Sequence, residues 1–130
     1  MPDQAFIEEP AILIRCAKFY REGMSQQELY EITRGIWRIG TRREKAKYAF
    51  SIYKGVIKAV YEINSWHKAG TTSYQTRIDL SSIDSTSRYI GDRYEFLGEE
   101  SEKMQEKYLG KSVAHYFERG NANPVTYINC

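Results

Sequence analysis

A chain of 130 residues, 42% hydrophobic and 14% aromatic, has enough apolar material for one domain with one core. A net charge of +2, two cysteines and no apolar run near the roughly 20 residues of a membrane span argue against three classes: a disordered tail, a disulfide scaffold and a transmembrane protein. The opening "MPDQAFIEEPAILIRC" is acidic before its short apolar stretch, unlike a secretory signal, so a cytoplasmic protein is expected.

In chain order, residues 1–10 read as an N-terminal lead-in. "AILIRC" (11–16) is a continuous apolar run of strand length, which predicts a buried strand and a buried Cys16 thiol. "YREGMS" reads as a loop. Ser25 and Glu28 form a capping box for a short helix with Leu29 and Ile32 on its apolar side and Gly35 at its end. "TRRE" (41–44) has the same box spacing and predicts a second short helix to about Tyr48. "YAFSIYKGVIKAVYEI" (48–63) predicts a β-hairpin turning at Lys54-Gly55. "NSWHKAGTTS" reads as a loop carrying Trp66, "YQTRIDL" as a strand and "SSIDSTSR" as a polar loop. "YEFLGE" predicts a further strand, "EESEKMQEKYLG" a helix ending at Gly110, and "VTYIN" a closing strand after the turn "RGNANP". Five or six strands with short helices and no dividing linker make an α+β domain with a small curled sheet or barrel.

The charge is segregated. Arg34 to Lys58 holds eight Lys or Arg and one acid, while "GDRYEFLGEESEKMQEK" carries much of the compensating negative charge. Arg34, Arg38, Arg42, Arg43, Lys45 and Lys47 are the candidate phosphate contacts, because the guanidinium fork donates two hydrogen bonds at once and the set surrounds Trp37. An ordinary solvated face is the plain alternative. Trp37, Trp66 and neighbours such as Tyr53 are candidate walls for stacking a flat base, against the plainer role of core. His67, His115, Cys16 and Cys130 have no metal-ligand spacing, and no carboxylate pair stands out as an acid–base couple, so neither metal nor cofactor is expected. "RYIG" (88–91) and "KYLG" (107–110) match half of the GIY-YIG nuclease signature.

"ILIRC", the Ser-started helix, "TRGIW" and "AFSIYKGVIKAVYEI" together resemble the first half of PUA-like domains of the YTH and EVE type, over about residues 11–63. In that order Trp37 matches the first aromatic of the YTH modified-base pocket, and Phe50, Ser51 and Gly55 match the hairpin pattern. The resemblance implies one PUA-like domain over 11–130 and a nucleic-acid-binding module, DNA or RNA, that reads a modified base. Trp37, Trp66, Tyr53 and Ser51 would line its pocket. The chain also looks like small bacterial or phage proteins with "RREKAKYAF" and "GKSVAHYF" motifs, a likeness that supplies no function. The alternatives are a nuclease-like nucleic-acid-processing enzyme and an interaction module whose basic segment meets an acidic protein.

Overall fold

The computed structural model describes residues 3–17, 19–76, 93–117 and 123–130. Strands β1 (Ala11–Arg15), β2 (Tyr48–Tyr53), β3 (Val56–Lys68), β4 (Tyr94–Glu100) and β5 (Val125–Ile128) form one mixed sheet in the order β4-β3-β2-β1-β5. β1 runs parallel to β2, and the remaining pairs are antiparallel. Helices α1 (Gln26–Thr33) and α2 (Glu102–Tyr108), with 3-10 turns at Thr41–Lys45 and Ala114–Tyr116, complete an α+β domain.

β1 reads as an apolar run because both faces of the sheet are covered there. Ile12, Ile14, Ala49, Ala59, Tyr61 and Phe96 pack with Ile32 of α1 on one face. On the other face Leu13, Phe50, Ile52, Ile57 and Val60 pack with Met104 and Tyr108, which are four apart on α2. The Ser25 capping box forms in full: the Glu28 amide donates to Ser25 Oγ at 3.1 Å, and the Ser25 amide donates to Glu28 Oε1 at 3.0 Å.

Four expectations change. The lead-in docks: Ala5 and Ile7 are buried, the Ala5 amide donates to the Ser112 carbonyl, and Tyr108 Oη donates to Glu9 at 2.7 Å. The "TRRE" box does not form. Gly40 occupies the cap position, no side chain caps the 3-10 turn, and Glu44 pairs with Arg43 at 3.5 Å. Arg34, not Gly35, caps the end of α1. β3 runs on to Lys68, because β4 pairs with it from Tyr61 onward, so Trp66 stands in a strand rather than a loop. Most of the expected strand over 74–80, the polar loop after it, "RYIG" and most of the turn "RGNANP" lie outside the described residues. Among the described residues no helix is long and apolar enough to cross a membrane.

Candidate nucleic-acid interface

The basic segment divides into a buried part and a surface strip. Arg34 is 2% exposed. Its Nη1 donates to Thr72 Oγ1 at 2.8 Å and to the Phe96 carbonyl at 3.4 Å, and its Nη2 donates to the Ser73 carbonyl. The guanidinium lies 3.8 Å from the Tyr74 ring centroid. Arg34 is therefore a structural arginine, closed off from any phosphate.

Thr72 joins it to an acid. The Thr72 amide donates to Glu95 Oε2 at 2.8 Å, and its hydroxyl donates to the same oxygen. Glu95 Oε1 accepts from the Gly70 amide at 3.2 Å and from Tyr74 Oη at 2.9 Å. Glu31, on the inner side of α1, accepts from the Gln75 and Thr76 amides and from Thr76 Oγ1. Two carboxylates, 0% and 1% exposed, thus grip one loop, residues 70–76. This satisfies both acids and the backbone donors of Gly70, Thr72, Gln75 and Thr76.

The Glu31 carboxyl has a pH consequence. Burial pushes its pKa up, but hydrogen bonds from Gln27, Thr76 and Gln75 outweigh that and hold it below the ordinary 4.5. A carboxyl depressed in the folded state contributes stability that is fully present above its unfolded pKa. That stability is lost as pH falls through the lower folded value. Expected in thermal melts is a Tm that falls once pH drops below 4.5, and a smaller fall in Glu31→Gln. Equal acid sensitivity of the two proteins would remove Glu31 from the account.

Across the α1 face, Arg42 and Arg43 sit on tyrosines from opposite edges of the sheet. Arg42 lies 4.5 Å from the Tyr127 ring of β5 and donates through Nε to the Cys130 carbonyl at 3.1 Å. Arg43 lies 3.7 Å from the Tyr94 ring of β4 and donates to the Gly40 carbonyl at 2.8 Å. Two adjacent residues therefore connect both edge strands, as a curled sheet allows. Arg43 is mostly covered by its tyrosine, while Arg42 keeps an exposed flank. Arg38, Lys45 and Lys47 are exposed on the same strip.

The residues expected to line a base pocket are spread over the core, the β2–β3 turn and the rim of the α1-face cluster. Ser51 is 0% exposed and accepts a hydrogen bond from Thr33 Oγ1 at 3.0 Å beside the Cys16 thiol, so it belongs to the core. Tyr53 stacks on Tyr20 at the β2–β3 turn, well along β2 from the strip. Trp37 and Trp66 are both half-buried on the rim of the α1-face cluster. The Trp37 indole donates to the Thr33 carbonyl at 2.7 Å, which fixes its ring. Trp66 packs edge-on against Phe96, with centroids 5.3 Å apart. Trp66 Nε1 and Tyr61 Oη are buried with no hydrogen-bond partner among the described residues. Burial pushes the Tyr61 phenol pKa up, so the phenol keeps its proton.

No family model, curated protein or solved structure matches the chain. The functional argument therefore rests on the geometry. Among the described residues no group of three His, Cys, Asp or Glu could hold a metal ion. Sequence reasoning missed Glu31, Glu95, Tyr94 and Tyr127. Only the alternation of "YEF" hinted that Tyr94 and Phe96 share a face.

Proposed function

We propose that this chain is a PUA-like nucleic-acid-binding domain and that residues 37–47 are its contact strip. One observation carries the reading: Arg38, Arg42, Lys45 and Lys47 are exposed within ten residues of chain, and the only acid among them, Glu44, is paired to Arg43. Trp37 is half-buried beside that strip and held in orientation by its bond to Thr33. A base stacked on such a ring gains about 1–3 kcal/mol.

The test is fluorescence anisotropy with short DNA and RNA, plain and base-methylated, at two salt concentrations. Replacing Arg38, Lys45 and Lys47 together by alanine is expected to lower the log–log salt slope by about 0.7–0.9 for each lost phosphate contact. Each substitution should shift stability by no more than about 0.5 kcal/mol, as for exposed positions generally. Binding that ignores salt, or no binding to any of these probes, would sink the reading.

A further inference from the structure

The β2–β3 turn carries a second basic and aromatic cluster that the strip does not include. The Cys16 amide donates to the Ile52 carbonyl at 2.8 Å, and the Tyr20 amide turns back to the Cys16 carbonyl at 2.9 Å. This brings Tyr20 onto Tyr53, with ring centroids 4.1 Å apart and 29° between planes. Both rings are half-buried, so each keeps an accessible part.

Two lysines border this stack, and each is placed there by an irregularity of the backbone. Ser51 pairs with Ala59 but Ile52 pairs with Ile57, so Lys58 is the extra residue of a β-bulge. Bulges re-aim side chains, and this one sets Lys58 Nζ 5.7 Å from the Tyr20 centroid. Lys54 is the first central residue of the turn and has φ of 50°, followed by Gly55 at 76°. Two positive φ values are the pattern of a type I′ turn, in which Asn, Asp or Gly is favoured at the first position. A lysine there is sterically costly, and non-glycine residues in this region concentrate at functional sites. Lys54 Nζ lies 5.5 Å from the Tyr53 centroid. Neither lysine has an ion-pair partner among the described residues.

We propose that Tyr20, Tyr53, Lys54 and Lys58 form a second contact for one single strand of nucleic acid, running from the strip at Lys47 to the β2–β3 turn. This rests on the nucleic-acid reading above and specifies its substrate class. Lys47 and Lys54 flank the two ends of β2, about 23 Å apart at the usual strand rise of about 3.3 Å per residue. Single-strand binders combine cations that track the backbone with aromatic rings on which bases stack, over sites of about 4–16 nucleotides. A tyrosine stack held between two lysines supplies both chemistries.

The test compares wild type, Lys54→Asn, Lys54→Asn with Lys58→Ala, and the strip variant Arg38→Ala/Lys45→Ala/Lys47→Ala. The probes are a 16-nucleotide single strand and its duplex, titrated across a salt series. Lys54→Asn is expected to raise Tm, because Asn tolerates the left-handed backbone better, and yet to weaken single-strand binding. The double variant is expected to lower the salt slope by about 1.4, two contacts at about 0.7 each, on the single strand but not on the duplex. Three results would overturn the proposal: an unchanged slope while the strip variant still loses affinity, an equal change on duplex, or a lower Tm in Lys54→Asn. Absence of binding by wild type would overturn the nucleic-acid reading itself.

Discussion

Replacing Arg34 by methionine is expected to destabilise the domain by about 3–5 kcal/mol, because Thr72 Oγ1 and the Ser73 and Phe96 carbonyls all lose a charged hydrogen-bond donor, each worth about 1.5–3 kcal/mol. Arg34 and Glu95 have no direct contact described. They are joined through Thr72, whose hydroxyl accepts from the guanidinium and donates to the carboxylate. Methionine would fill much of the same volume but leave Glu95 without the cation it reaches through Thr72. It would also leave the Ser73 and Phe96 carbonyls without that donor. The loop over 70–76 should loosen first, since Glu95 and Arg34 both hold it. Arg34→Lys would keep the charge and lose the fork, so an intermediate loss is expected. Urea unfolding at neutral pH, with hydrogen exchange at Thr72 and Gly70, reads both effects. A loss below about 1 kcal/mol would mean that the network relaxes without its arginine.

How much of this was legible in the sequence depends on what kind of force sets each feature. Local signals served well. The Ser25 box, the apolar run of β1, the Lys54-Gly55 turn and the helix within "EESEKMQEKYLG" each act within a few residues, and each appears in the structure. Features set by distant chain did not read. Glu31 and Arg34 are three apart on one helix and look like a solvent-facing ion pair. Among the described residues, the loop over 70–76 folds over the end of α1 and binds both side chains. Trp66 sits in a run of polar residues that reads as loop, and pairing with β4 makes it strand. The "TRRE" spacing is correct for a box, but Gly40 takes the cap position one residue early. The arginines around Trp37 have the same composition whether they face a phosphate, a tyrosine ring or a threonine hydroxyl. Only the fold separates Arg34 and Arg43 from Arg38, Lys45 and Lys47.

Substituting alanine for Gly35 is expected to destabilise the domain by about 2.5–6 kcal/mol and to weaken the proposed nucleic-acid binding beyond what that loss explains. A Cβ at this position would overlap the Tyr74 hydroxyl and stand 2.7 Å from the Glu95 Cβ. Overpacking a filled interior costs about 1–3 kcal/mol. Pushing Tyr74 away would also break its hydrogen bond to Glu95 Oε1 and leave that oxygen only the Gly70 amide; a hydrogen bond to a charged group is worth about 1.5–3 kcal/mol. The neighbours cannot yield cheaply, because Gly35 lies against β4, where the Arg34 carbonyl accepts from Phe96 and the Trp37 backbone pairs with Tyr94. Relief must then come from moving the segment that carries Trp37. Its indole is tied to Thr33 at the end of α1, so a shift of residues 35–37 would turn the ring away from the strip. The check is to unfold Gly35→Ala in urea and to titrate the folded fraction with the single strand. Trp37→Ala serves as the comparison, since it removes the stacking ring and leaves the packing of Gly35 intact. Weakened binding in both variants would tie the close approach of Gly35 and Glu95 to the contact surface. Full affinity per folded molecule in Gly35→Ala would confine this glycine to packing alone.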